Sequence, residues 1–163
     1  MSRWSTLKKM WKWLLQSRAH DGQEDLLAML CQEYAEETRH SIQFKAHAER
    51  MHYPQFRERL LKIAEEEEKH AQWLKEKIIG LGGEIPRILF TAERGLNSWE
   101  QLRLDLEEEK RCVADLTEKL ATSKEIDLET AEDLGRMLGE EKRHRESIRD
   151  MLMRSDPQAV WPV

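Results

Sequence analysis

Apolar side chains recur every three or four residues along most of the chain, and the stripes they draw stop at three places. Leu26, Leu30, Tyr34, Ser41, Phe44, Ala48 and Met51 share one face of a first helix, for which Asp21 and Glu24 form a capping box. His52, Tyr53 and Pro54 end it, because the residue before a proline avoids helical dihedrals. A second helix follows from about Gln55 to Ile79 with Phe56, Leu60, Ile63, Trp73, Leu74 and Ile78 inward; Gly80, Gly82, Gly83 and Pro86 close it. Residues 80–97 show no periodicity, although Ile88, Leu89 and Phe90 are expected to be buried. Ser98 with Gln101 gives the capping box of a third helix bearing Leu102, Leu106, Val113, Leu116 and Leu120. A break near Ser123–Asp127 leads to a fourth, with Leu128, Leu134, Met137, Leu138, Ile148 and Leu152 inward, and Pro157 closes the ordered part.

These elements predict an all-α four-helix bundle over residues 21–155 with a tail at 156–163. The 18-residue connection between helices 2 and 3 is long enough to cross a bundle of ~35 Å, since extended chain covers roughly 3.3 Å per residue. One long crossover with helices 2 and 3 parallel is the expectation. Ahead of the bundle, residues 1–20 form a leader in which Trp4, Leu7, Trp11, Leu14 and Leu15 alternate with Lys8, Lys9 and Lys12. That is a short basic amphipathic helix, read either as packing on the bundle or a neighbouring subunit, or as docking to a partner protein or membrane surface through residues 3–18.

The stripes are interrupted where hydrophobes are due. On helix 2, Glu67 and His70 follow Leu60 and Ile63 and precede Leu74; on helix 4, Glu141 and His144 follow Leu134 and Met137 and precede Ile148. Glu109 is the glutamate of helix 3 in register with Leu102, Leu106, Val113 and Leu116, and Glu37 is the choice on helix 1, with Glu33 one turn earlier as the alternative. Intervals of 30 residues from Glu37 to Glu67 and 32 from Glu109 to Glu141 bring all four glutamates to one level if tight turns join antiparallel helices. Burying four carboxylates and two imidazoles uncompensated would cost several kcal/mol each, beyond a small domain's whole margin of stability. No Lys or Arg lies in register with them, whereas two divalent cations would neutralise the carboxylates and take the imidazoles as ligands. Carboxylate oxygen with imidazole suits iron, or manganese as the alternative metal, better than a structural zinc site.

Charge agrees with this. Charged residues make up 36% of the chain and hydrophobic ones 39%, with only 7 Gly and 4 Pro, a composition of long amphipathic helices. Setting aside the five basic residues of the leader, 22 of the 27 basic groups face 32 acidic ones, a net of −10. No nucleic-acid partner is expected of such a body, because phosphate contacts need clustered Lys and Arg. Cys31 and Cys112 have no second cysteine at metal or redox spacing, and no apolar run reaches the ~20 residues of a membrane span. A cytoplasmic location is the expectation.

The stretches ETRHSIQFKAHA, IAEEEEKHAQWL, LEEEKRCVADL and EEKRHRES together resemble the ferritin-like di-iron superfamily, bacterioferritin and rubrerythrin in particular: one Glu from each of two helices and Glu-x-x-His from each of the other two. The resemblance implies two Fe ions, with Glu67 and Glu141 bridging, His70 and His144 each on one iron, and Glu37 and Glu109 terminal. It also implies O2 or H2O2 as oxidant and a homo-oligomer, a dimer or larger. Haem is not expected, because Glu68 stands where bacterioferritin has its haem-ligating methionine, and the paired cysteines of a rubredoxin module are absent. Oxidative iron handling, as a ferroxidase of storage or detoxification, is the leading function. A rubrerythrin-like peroxide reductase fed by a separate electron donor, and a non-enzymatic helical adaptor with a structural metal, are the alternatives.

Other residues have plainer readings. His40 and His47 are taken as ordinary hydrogen-bonded histidines, with further metal ligation as the alternative. Cys112 reads as a small buried hydrophobe, Met29, Met51, Met137, Met151 and Met153 as core filling, and Glu65, Glu66 and Glu68 as solvated surface or an iron-attracting patch rather than ligands.

Overall fold

The structure, a computed structural model, describes the backbone of residues 3–158 and the side chains of residues 22–158. It consists of helices α1 (Arg3–Glu49), α2 (Pro54–Gly80), α3 (Ser98–Ile126) and α4 (Leu128–Met153), with no strand among the described residues. The leader is helical, but no turn separates it from α1 and the cap expected at Asp21 does not form. Uninterrupted hydrogen bonding of the helix prevails over a local capping signal. The Trp-rich face of residues 3–18 lies outside the described side chains, as do residues 159–163 of the tail.

At one end of the bundle, the backbone N–H of His52 in the α1–α2 turn donates to Ser98 Oγ at 2.9 Å, and Asp156 N donates to the Tyr53 hydroxyl at 3.0 Å. The start of α3 and the end of α4 therefore lie beside this turn. At the other end Lys77 of α2 approaches Asp127, the junction of α3 and α4, at 3.5 Å. Helices α2 and α3 run parallel, as the length of their connection predicts.

Local chemistry sets the boundaries. Gly82, at φ 80°, takes the left-handed conformation that lets Gly82 N and Gly83 N return to the carbonyls of Ile79 and Ile78, both at 2.9 Å. The cap of α3 is Asn97, one residue before the expected Ser98: its side chain accepts from Glu100 N at 2.8 Å while Glu100 accepts from Leu96 N at 2.6 Å. Ser98 is thereby free to receive His52. Asp127 caps α4 through Thr130 N.

Residues 81–97 cross the bundle without regular structure and are pinned by a partly buried network. Glu93 N donates to Gln43 Oε1 at 2.8 Å, and His47 donates from Nε2 to Glu93 O and from Nδ1 to Asp105 Oδ1, both at 2.7 Å. His47 is thus a hydrogen-bonded core histidine; burial opposes its charge, but Asp105 raises its pKa above the usual histidine range. A Cβ on Gly95 would lie 2.6 Å from the backbone nitrogen of Gln101, so this close approach requires glycine. Leu89 is 82% exposed, contrary to expectation, while Ile88 and Phe90 are half-buried. Extended chain turns alternate side chains to opposite faces, so three consecutive residues cannot all point inward. Met153 is likewise exposed, at the last residue of α4.

Two apolar clusters fill the bundle. Phe44, Met51, Phe56, Leu60, Leu102 and Ile148 are among those at the turn end, and Leu26, Leu30, Leu74, Ile78, Leu116 and Leu134 among those at the other. Truncating Phe44 to alanine is expected to destabilise by about 3–5 kcal/mol, while Leu89→Ser changes stability by less than about 0.5 kcal/mol, read from denaturant unfolding with unchanged slope.

Candidate metal centre

Between these clusters lies a polar layer. Glu37, Glu67, Glu109 and Glu141 are each fully buried, and His70 and His144 nearly so. Each helix delivers one glutamate because its apolar stripe passes through that position, and α2 and α4 deliver a histidine one turn further along the same stripe.

The ligand atoms of Glu37, Glu67, His70 and Glu141 lie within 4.8 Å of one another, as do those of Glu67, Glu109, Glu141 and His144. The two groups share Glu67 and Glu141, so the six residues picked from the sequence come together as two overlapping tetrads. The level predicted from helix lengths is the level observed. His70 Nδ1 lies 3.3 Å from Glu37 Oε2, 3.3 Å from Glu67 Oε2 and 3.1 Å from Glu141 Oε1. His144 Nδ1 lies 3.0 Å from Glu67 Oε1 and 3.6 Å from Glu141 Oε2.

The opposite ring nitrogens have partners that the sequence reading missed. His70 Nε2 is 2.6 Å from Glu140 Oε2 and His144 Nε2 is 2.7 Å from Glu66 Oε2. An ionised carboxylate has no hydrogen to give, so each Nε2–H is the donor and each Nδ1 is turned into the cluster. Glu66 is therefore not simply solvated surface. The missed signal was the doubled glutamate: Glu66-Glu67 three residues before His70, and Glu140-Glu141 three before His144.

Several buried oxygens lack any hydrogen-bond partner: Glu37 Oε1, Glu67 Oε2 and both oxygens of Glu109 and of Glu141. No lysine or arginine pairs with any of the six residues among the described side chains. Orphaned acceptors at this depth are expensive, and hard oxygens together with imidazole form a donor set for a transition-metal dication.

Without such a cation the cluster is held by protons. Burial raises the carboxyls of Glu37 and Glu109, and the negative charges of Glu141 and Glu67 raise them further. Burial would lower His144, but the adjacent carboxylates of Glu141 and Glu67 push it up to about 11; His70 is raised in the same way. Burial would raise Glu67 too, yet it faces both imidazoles and falls well below the usual carboxylate range.

The sequence matches the family model described as Ferritin-like domain over residues 27–155, and the chain belongs to this family. The bacterioferritin of Desulfovibrio desulfuricans, whose solved structure concerns its diiron site in different catalytic states, superposes with a TM-score of 0.77 at 23% identity, covering 83% of this chain and 82% of that one. A ferritin-like diiron-carboxylate protein of Bacillus anthracis gives 0.71 at 22% identity, over 80% and 97%. A dodecameric thioferritin, the bacterioferritin-related protein of Bacteroides fragilis, gives 0.74 at 20%, over 81% and 86%. No curated protein matches the chain in sequence. Among the described residues no helix is long and apolar enough to cross a membrane.

Two measurements follow from the protons. Folded pKa values above the unfolded ones on Glu37, Glu109, His70 and His144 mean that the folded metal-free state binds more protons than the unfolded state above about pH 4.5, the ordinary carboxyl value. Its stability should fall as pH rises from about 5 to 9, read as a declining Tm in chelator. Metal uptake should release protons, visible as a buffer-dependent binding enthalpy, and should tighten with rising pH.

Proposed function

We propose that the chain binds two iron ions at this centre and oxidises Fe(II) with O2 or H2O2, a ferroxidase serving iron storage or detoxification. The observation that carries it is the sharing of Glu67 and Glu141 by two four-residue groups, each with its own histidine. Two ferrous ions bound side by side supply one electron each to the same oxidant. The chain's part is positional. Glu67 and Glu141 hold the two ions together, Glu37 and Glu109 complete one side each, and His70 and His144 present Nδ1 because Glu140 and Glu66 accept from Nε2. The apolar clusters on either side exclude bulk water, so charge interactions inside are weakly screened. Manganese fits the same donor set. Following the dodecameric relative, we further propose a homo-oligomer, with the leader helix as a docking element.

Anaerobic Fe(II) titration followed by oxidant tests this. Two equivalents should be oxidised together in the native chain, and the Glu67→Ala/Glu141→Ala variant should lose them. Undiminished uptake in that variant would leave a helical adaptor as the better reading. Release of ferric iron into a hollow assembly marks storage, whereas retention through repeated peroxide turnovers marks a peroxide reductase. Glu66→Gln/Glu140→Gln should weaken metal binding by roughly 10–100-fold with the bundle intact, measured by competition with a chromophoric chelator.

A further inference from the structure

A third cluster adjoins the two tetrads on the side of α1 and α3. Ligand atoms of Glu33, Glu37 and Cys112 lie within 4.8 Å of one another, and all three residues are buried. Glu37 belongs to one tetrad as well, and while its Oε2 approaches His70, its Oε1 has no partner. Glu33 also leaves Oε1 unpartnered, and its Oε2 is paired with Lys119 Nζ. That lysine is 11% exposed.

Above the cluster opens a cleft of about 110 Å³ between α1 and α3, lined by Glu33, His40, Cys112 and Lys119, with the ion pairs Glu36–Arg39 and Glu108–Arg111 at its rim. His40 is 4% exposed and has its Nδ1 unpartnered. A buried imidazole nitrogen without a partner, beside a passage that ends on the Glu33 carboxylate and the Cys112 thiol, is a second polar group awaiting a ligand. Packing alone asks for none of this, since alanine or leucine would fill the space at lower desolvation cost.

We propose that Glu33, Glu37 and Cys112 form a third cation site, reached through the α1–α3 cleft, for a divalent ion of borderline softness, which in the working protein is Fe(II) on its way to the dinuclear centre. A thiolate beside two carboxylates selects Fe(II), Co(II) or Zn(II) over Mg(II) or Ca(II). The Cys112 proton leaves to solvent as the ion binds, and the Lys119 ammonium, which neutralises Glu33 in the empty site, yields its place.

The site rests on the dinuclear reading only through the shared Glu37, and Co(II) titration of the full chain under anaerobic conditions separates the two. Three equivalents per chain are expected, the third accompanied by a thiolate-to-cobalt charge-transfer band in the near ultraviolet. Cys112→Ser and Glu33→Gln should each bind two equivalents without the band; the retained pair shows that the bundle is intact. Glu67→Ala/Glu141→Ala should lose the paired equivalents and keep the band. Saturation of the native chain at two equivalents, a third equivalent that survives in Cys112→Ser, or loss of the band with the Glu67/Glu141 pair would each overturn the proposal.

Discussion

Six ionisable side chains occupy the middle of a bundle whose two ends are apolar, and their mutual electrostatics constrain everything around them. Four carboxylates at full burial, with several oxygens lacking any hydrogen bond, repel one another in a medium that screens charge poorly. Protons on Glu37, Glu109, His70 and His144 relieve that repulsion in the metal-free chain. Cations would relieve it better, because they satisfy the orphaned acceptors as well as the charge. On the proposed reading the layer exchanges protons for metal, which joins metal affinity and fold stability to pH in opposite directions.

Rigid surroundings make such a layer tolerable. The apolar clusters above and below fix the helices at the spacing that lets each glutamate reach its neighbours. The crossover is tied to α1 and α3 through Glu93, Gln43, His47 and Asp105, so the one irregular segment of the bundle is held by partly buried polar contacts. Those contacts lie beside α1 residues that face the cleft, which places the anchoring of the loop and the cleft on the same side of the molecule. The Nε2 partners Glu66 and Glu140 occupy the opposite, outer edge, 30% and 38% exposed.

Much of the fold was legible because helical periodicity is a local property. Stripes such as Phe56, Leu60, Ile63 and Leu74 declare a buried face without knowledge of what covers it. The buried polar positions were legible for the same reason in reverse, since Glu67 with His70 and Glu141 with His144 stand where the stripe requires a hydrophobe. Failures came where the answer depended on a neighbour. Asn97 rather than Ser98 caps α3 because Ser98 is engaged by the α1–α2 turn. Leu89 faces outward because the crossover is extended. Glu66 looked like part of a solvated run, and only the arrival of His144 from α4 gives it a partner.

The sequence by itself determined four amphipathic helices, their order, one long crossover and six polar positions that must face inward, because each of these follows from spacing along a single chain. Which oxygens sit beside which nitrogen was decided only when four helices met. Tertiary packing alone made Glu67 and Glu141 common to both tetrads, gave the imidazoles their outer carboxylates, and set Glu33 and Cys112 against Glu37. Contacts between helices depend on rotation and relative height to within an ångström or two, and a pattern written in residues along one axis carries no information at that scale.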